Sequence, residues 1–169
     1  MVRRMFTAGI LTISDKGSRG ERHDKSGEAI REILSKMDAR VVNYDIVPDE
    51  KELIVEKLVR WADRDNMDVV ITTGGTGLTP RDVTPEATMA VVDRIVPGFA
   101  EAMRAESLKK TPHAMLSRAV VGTRGKCLIV NLPGSTKAVR ECLAVILPAL
   151  PHAMETLKGQ AGECGAVEA

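Results

Sequence analysis

The order of apolar and amphipathic segments is the feature that most limits how this chain can fold. Four apolar runs of strand length occupy residues 6–13, 41–47, 69–73 and 128–131. The segments between them carry apolar residues at helical spacing, as at Ile54, Leu58 and Trp61. Such alternation is typical of a mostly parallel sheet covered on both faces. The sequence therefore predicts an α/β fold, with a doubly wound, mostly parallel sheet and helices on both faces.

Prolines mark where the predicted helices should be interrupted. A long helical segment that begins at Ser135 contains Pro148 and Pro151, which should kink or split it. The region 85–110 has helical character on both sides of Pro97-Gly98, a pair that interrupts helices. We therefore predict two helical pieces in that region and a broken helix near the end of the chain.

Length and composition limit the number of domains, the kinds of partner and the cellular location of the protein. The 169 residues suit one α/β domain, which we expect over residues 1–158, with a frayed tail at 159–169. The formal charge of +1 argues against a nucleic-acid partner. Cys127, Cys142 and Cys164 lack the spacing of a disulfide framework or a zinc site. Because no apolar stretch is long enough to cross a bilayer, we predict a cytoplasmic protein without a membrane partner.

Ligands of open α/β sheets bind at the carboxyl ends of the strands, which directs attention to the loops at 14–25, 48–49, 74–84 and 133–135. The third loop begins in the glycine-rich run TTGGTG. Its amides could approach a phosphate closely at Gly74, Gly75, Thr76 and Gly77. The run is neither a Walker A loop nor a dinucleotide fingerprint. Alone, it could equally be a tight connection between a strand and a helix.

Two aspartates at neighbouring strand ends are candidate magnesium ligands. Asp49 follows the second strand and Asp82 lies beyond the glycine-rich run. Mg²⁺ takes few oxygen ligands from proteins and keeps several waters, so two carboxylates beside a phosphate cradle would suit it. Each aspartate also has a structural alternative: Asp49 with Glu52 resembles a capping box, and Asp82 could close an Asx turn or pair with Arg81. Thr84 is predicted to cap the helix that follows.

The loop after the first strand is rich in short polar side chains. Ser14, Asp24 and Ser26 could donate to or accept from a polar heterocycle or a phosphate. The alternative is a polar surface loop in which Asp24 or Ser26 caps the first long helix.

Histidine and methionine give no further site in the sequence. The histidines are scattered without metal-ligand spacing, so we assign no role to His23, His113 and His152. Methionines in helical segments are expected to fill the core, as are Met89, Met103 and Met115. Trp61 is expected in the core as well.

Several ordered motifs together identify a family. They are ISD at 13–15, DKSG at 24–27, VPDE at 47–50, TTGGTG at 72–77, TPRDVTPEAT at 79–88, PGF at 97–99, LSR at 116–118 and NLPGS at 131–135. With these motifs the chain resembles the MogA/MoaB family of molybdenum cofactor biosynthesis proteins. It is also similar to the G domains of gephyrin and of the two-domain plant enzyme.

The resemblance implies a function and a set of site residues. Members of the family transfer AMP from ATP to molybdopterin, release pyrophosphate and usually form homotrimers. Mg²⁺ and catalysis are then tied to Asp49 and Asp82, and substrate handling to Ser117. Further binding residues are expected at Pro133, Gly134 and Ser135, besides the glycine-rich and first loops. The chain has no molybdate-inserting domain, so the product would pass to a separate insertion protein.

Two other functions are compatible with the sequence. A scaffold of the same fold would hold molybdopterin without transferring AMP, although the presence of both aspartates weighs against it. A flavodoxin-like module would use the same strand-end loops for a flavin. Aromatic residues make up only 2% of the chain, and none lies in a loop suited to stack on the flavin ring.

Overall fold

A computed structural model describes residues 5–160, which contain a six-stranded sheet. Its strands are β1 (Phe6–Ile13), β2 (Ala39–Val47), β3 (Val69–Thr73), β4 (Arg94–Ile95), β5 (Val121–Arg124) and β6 (Cys127–Leu132). They lie in the order β2-β1-β3-β6-β5-β4. Strands β2, β1, β3 and β6 are parallel, and β5 is antiparallel to both of its neighbours. The predicted fold class is confirmed, with the strand order reversing between β1 and β3.

Helices connect the strands, as the helical spacing of apolar residues between the strand-like runs predicts. They are α1 (Asp15–Ser18), α2 (Lys25–Leu34), α3 (Lys51–Val59), α4 (Thr84–Val91), α5 (Pro97–Leu108), α6 (Thr136–Ile146) and α7 (Leu150–Leu157). A π-helical turn, Arg60–Arg64, continues α3, and a 3₁₀ turn spans Pro112–Leu116. The predicted break in the last helix is confirmed, because α6 and α7 are separate and Pro148 lies between them. No helix in the described part of the chain is long and apolar enough to span a membrane.

Side chains on opposite faces of the sheet build two separate cores. Alternate residues of β1 divide between them: Ala8 and Ile10 join the core under α2, α5, α6 and α7, whereas Leu11 and Ile13 join the core under α3 and α4. This alternation is the period-2 geometry of a strand buried on both faces. The predicted core position of Trp61 is confirmed, since only 4% of it is exposed.

Two strands and two methionines differ from the sequence prediction. Strands β4 and β5 were not predicted; they are only two and four residues long and β5 contains Gly122, so neither forms an apolar run. Met103 is buried as expected, but Met89 and Met115 are exposed. Met89 lies on the exposed side of α4, and Met115 lies in the 3₁₀ turn. A position in a helical segment therefore did not bury either side chain. The predicted tail is described only at Gly159 and Gln160, and residues 161–169 lie outside the described part.

A buried amide joins the sheet to the helix that follows the glycine-rich loop. Asn131, on β6, donates to the hydroxyls of Thr72 and Thr88, at 3.0 and 2.9 Å. Its side-chain oxygen accepts from the amide of Val120 at 3.1 Å. A fully buried amide must satisfy its donors and acceptor inside the protein. These bonds therefore fix β3, α4 and the start of β5 relative to one another.

The contact between β1 and Trp61 leads to a stability prediction. A Cβ at Gly9 would lie 2.7 Å from Cε3 of Trp61, which is too close for both side chains to keep their positions. We expect Gly9→Ala to lower the free energy of unfolding by about 1–3 kcal/mol, the usual cost of overpacking. Gly98→Ala is the matched control, because nothing lies within 4 Å of the point that its Cβ would occupy. Urea unfolding of both variants measures the difference, and equal stability for Gly9→Ala and wild type would contradict it.

Candidate functional site

The carboxyl ends of the parallel strands surround a cavity of about 650 Å³. We call it the first cavity. Nine predicted site residues line it: Ser14, Asp24, Ser26, Asp49, Gly74, Gly75, Asp82, Gly134 and Ser135. They come from four loops that are far apart in the sequence. The structure therefore brings them together where the strand-end rule predicts a ligand.

The remaining predicted residues line a second cavity of about 460 Å³. These are Thr76, Gly77, Ser117 and Pro133, and Ser135 lines both cavities. Ser117 is thus in a different cavity from Asp49 and Asp82. Apolar side chains such as Met103 and Leu116 make up much of the second cavity, whereas the first is mostly polar. The two cavities offer different surroundings to two parts of a ligand, or to two ligands.

The glycine-rich loop runs between the cavities in a backbone conformation that favours glycine. Gly74 and Gly75 have φ angles of 99° and 65°. The amide of Gly74 donates to the carbonyl of Leu132 at 3.2 Å, so this amide is engaged in the fold rather than free for a ligand. Within residues 5–160, the amides of Gly75, Thr76 and Gly77 have no protein acceptor. Three of the four predicted amides are therefore available to an anionic oxygen.

Asp49 is held by the loop after β1 and does not cap α3. Its Oδ2 accepts from the amide of Asp15 at 2.9 Å, and its own amide donates to Oδ1 of Asp15 at 3.0 Å. The N-cap of α3 is Glu50, which makes no side-chain capping bond. The capping-box alternative is therefore wrong. Partial burial raises the pKa of Asp49, and the nearby carboxylates of Asp15 and Asp82 raise it further.

Asp82 lines the first cavity and closes its own turn. Its Oδ2 accepts from the amide and hydroxyl of Thr79, at 2.9 and 2.8 Å. Arg81 does not pair with Asp82; it makes a two-point contact with Asp15, at 2.7 and 3.0 Å. That contact lowers the pKa of Asp15. Of the two structural alternatives for Asp82, local turn closure is thus present and the ion pair with Arg81 is wrong.

Three predicted side chains have structural partners as well as a place in the cavity. Asp24 caps α2, accepting from the amide of Gly27 at 3.0 Å, so the capping alternative for this loop is confirmed at Asp24. Ser26 instead donates to the carbonyl of Gly134 at 2.7 Å and joins two of the loops. Ser135 caps α6 through the amide of Ala138, at 3.2 Å.

The carboxylate of Asp24 also accepts from the hydroxyls of Thr12 and Tyr44. Burial and the neighbouring carboxylate raise the pKa of Tyr44, so it keeps its proton as a donor. Ser14 accepts from the amide of Gly17 at 3.0 Å and caps the short helix α1.

Thr84 does not cap α4 as predicted. The N-cap is Val83, and the Thr84 hydroxyl donates to the carbonyl of Gly74 at 2.9 Å. The bond ties the helix start to the glycine-rich loop. A threonine before proline satisfies the sequence pattern of a cap, but here a tertiary acceptor replaces the helix amides.

Sequence reasoning missed several residues around the cavities. Arg22, His23 and Lys25 line the first cavity, although the sequence pattern gives His23 no role. Arg118 makes four contacts with residues 76–86, two of them with the glycine-rich loop. The only sequence signal for Arg118 is its place in the LSR motif, which directs attention to Ser117. Isolated basic residues carry no spacing pattern, so their convergence depends on the tertiary fold.

Comparisons with known proteins agree with the geometry. A family described as "Probable molybdopterin binding domain" matches residues 9–152. A molybdopterin adenylyltransferase from Helicobacter pylori is 46% identical over 153 residues, covering 89% of this chain and 87% of that protein. Gephyrin from Dictyostelium discoideum is 44% identical over 159 residues, covering 88% of this chain and 22% of gephyrin. The crystal structure of the molybdopterin biosynthesis enzyme MoaB from Thermus thermophilus superposes with a TM-score of 0.88 at 54% identity, covering 94% of this chain and all of that one.

The environment of Asp49 leads to a prediction about stability and pH. Its pKa is raised in the folded protein, so the ionised carboxylate opposes folding, and the contribution of Asp49 to stability falls as the pH rises from the unfolded pKa of about 3.9 through the folded value. An asparagine side chain at this position has no such titration and keeps an oxygen for the amide of Asp15. We therefore expect Asp49→Asn to melt above wild type at neutral pH without metal, with the difference shrinking as the buffer is acidified. Melting curves across this range test it, and a lower melting temperature for the Asn variant at neutral pH would refute it.

Proposed function

This chain belongs to the family of probable molybdopterin binding domains, and we propose that it is a molybdopterin adenylyltransferase. It transfers AMP from ATP to the terminal phosphate of molybdopterin and releases pyrophosphate. The observation that carries the proposal is the convergence of Asp49, Asp82 and the glycine-rich loop on one cavity at the strand ends. Phosphoryl and nucleotidyl transfer need this combination of metal-binding carboxylates and backbone donors.

The donor set fits Mg²⁺. Among residues 5–160, no three His, Cys, Asp or Glu side chains form a metal-binding group, but Mg²⁺ commonly takes one or two carboxylates and completes its shell with phosphates and water. Asp49 and Asp82 would hold it. Their mutual repulsion, which helps to raise the pKa of Asp49, is the kind of unfavourable contact that a cation relieves. When bound, Mg²⁺ supplies neutralisation of charge on the triphosphate.

The protein's own residues act by positioning. A terminal phosphate oxygen of molybdopterin forms a bond to the α-phosphorus of ATP, and the bond from that phosphorus to the oxygen of the pyrophosphate breaks. The nucleophile is already anionic, so no strong base and no covalent enzyme intermediate are required. The amides of Gly75, Thr76 and Gly77 would donate to phosphate oxygens between the two cavities, and Ser14, Ser26 and Ser117 would contact the bound groups. Because these donors are already fixed in place, no free energy is needed to reorient them during the reaction.

The other expected ligand contacts belong to the same proposal. Pro133, Gly134 and Ser135 would form the wall shared by the two cavities, and Asp24 would keep that wall in place through α2. Arg22 and Lys25 would offset part of the negative charge of the triphosphate. We further propose a homotrimer in the cytoplasm that passes its product to a separate molybdate-insertion protein. The buried free thiols Cys127 and Cys142 suit a reducing compartment.

Pyrophosphate release by the wild-type protein tests the proposal directly. Incubation with molybdopterin, ATP and Mg²⁺ should release pyrophosphate in an amount equal to the AMP transferred. Adding EDTA should stop the release, and a later excess of Mg²⁺ should restore it. Tight binding of molybdopterin without pyrophosphate would contradict enzymatic function and favour the scaffold. A yellow protein with flavin absorbance would favour the redox alternative.

We expect Asp82→Asn to keep the fold and lose turnover by about a hundredfold or more, the scale of removing one charge contact from a transition state. Asn can still accept from Thr79, so the turn should survive. Asp93→Asn is a matched control, because Asp93 also accepts from a loop amide, that of Gly125 at 2.7 Å, but lines neither cavity. Circular dichroism and the pyrophosphate assay are run on the same samples. Normal turnover in Asp82→Asn would leave Asp82 with its turn-closing role alone.

A further inference from the structure

The side chain of Arg118 connects the segment that carries Asp82 to the rest of the protein. Its Nε donates to the carbonyl of Gly77 and its Nη2 to the carbonyl of Asp82, each at 2.7 Å. Its Nη1 pairs with Glu86 on α4. The backbone amide of Arg118 adds a bond to the carbonyl of Thr76 at 2.9 Å. One residue thus has four contacts, and all of them are with residues 76–86.

The other bonds of this segment explain why the contact matters. The turn at Asp82 is closed by bonds to Thr79, which belong to the turn itself and do not attach it to the sheet. Thr84 fixes the far end of the segment to Gly74 and Gly75. Between Gly77 and Thr84, the described bonds that attach this segment to other parts of the protein are of two kinds. They are the bonds from Arg118 and the ion pair of Arg81 with Asp15. The Arg81 side chain is 57% exposed, whereas that of Arg118 is 33% exposed and better shielded from water.

Arginine is the residue type that can make this set of contacts. Its planar guanidinium presents donors in several fixed directions, so it can reach two carbonyls and a carboxylate at once. A lysine ammonium is a single point on a flexible chain and cannot hold three acceptors in the same geometry. The bonds to Gly77 and Asp82 are to backbone carbonyl oxygens. They therefore fix the backbone path of the loop and do not act through the charge of its side chains.

The position of Arg118 also relates the two cavities. Ser117, its neighbour, lines the second cavity, and Gly77, which accepts from its Nε, lines that cavity too. Asp82, which accepts from its Nη2, lines the first cavity. A shift of Arg118 would therefore move the wall of one cavity and the carboxylate of the other together.

We propose that Arg118 is a positioning residue that fixes Asp82 and the glycine-rich loop relative to Ser117. The inference rests on the proposed adenylyl transfer, since its effect on turnover is read in that reaction. Arg118 itself touches backbone carbonyls and Glu86, and it acts on the reactants only through the loop. Displacement of reacting groups by about 1 Å can cost a hundredfold in rate. Loss of Arg118 should therefore lower kcat much more than it raises the KM for ATP.

The test compares Arg118→Lys and Arg118→Ala with Arg124→Ala. Arg124 is a close match: it donates to the carbonyl of Val91 at 2.8 Å, pairs with Asp63 through two bonds, and its side chain is 26% exposed. It lies away from both cavities. We expect kcat to fall at least about tenfold in both Arg118 variants and to stay near wild type in Arg124→Ala, while the two alanine variants lose similar thermal stability. Added guanidinium ion should restore part of kcat in Arg118→Ala and none in Arg118→Lys.

Limited proteolysis gives a readout that does not depend on activity. Trypsin should cut after Arg81 in the native protein faster in Arg118→Ala than in wild type or Arg124→Ala, because the loop has lost its attachment. If wild type itself releases no pyrophosphate, the proposed function fails while the proteolysis still tests the role of Arg118. If Arg118→Ala does not fold, Arg118→Lys decides by the same two measurements. Unchanged kcat and unchanged cleavage after Arg81 would overturn the inference.

Discussion

The close approach of Gly74 to the two strands beside β3 is the constraint on which the site depends. A Cβ at this position would lie 2.3 Å from the carbonyl oxygen of Ile13, the last residue of β1. Its amide meanwhile donates to Leu132, the last residue of β6. There is thus no space for a side chain where the polypeptide leaves β3, and only glycine fits at this position. Because the loop turns so soon after the strand, Gly75 lines the first cavity and Gly77 the second, at the carboxyl end of β3.

The loops around Gly74 are joined by side chains of one loop that bond to backbone atoms of another. Asp15 and Asp49 exchange bonds between carboxylate and amide, and Ser26 donates to the carbonyl of Gly134. In Asp49 one carboxylate oxygen serves the loop and the other remains directed towards Gly75, where a Cβ would lie 3.2 Å from it. A single side chain can therefore be both a structural link and a ligand.

Sequence reasoning was most successful where local and global signals agree. The four parallel strands have both an apolar run and flanking helices, so their number and approximate limits were predictable. Strand β5 has neither, and its position follows from pairing with β6 and from the bond between Val120 and Asn131. At Asp49 the spacing to Glu52 matched a capping box, yet a tertiary partner, the amide of Asp15, took the carboxylate. Contacts of this kind connect residues 34 positions apart and leave no periodic trace in the sequence.

The balance of charge in the first cavity argues that nucleotide and metal should bind together. Asp24, Asp49 and Asp82 face Arg22 and Lys25 there, so the protein alone gives a triphosphate little net attraction. Asp24 is occupied by its hydrogen-bond donors, which leaves Asp49 and Asp82 as the carboxylates that a polyanion would meet. Free ATP would add like charge to a site where Asp49 is already disfavoured as an anion. ATP that carries Mg²⁺ brings the compensating charge with it, and on the proposed function the metal–nucleotide complex is therefore the species that this cavity is built to accept.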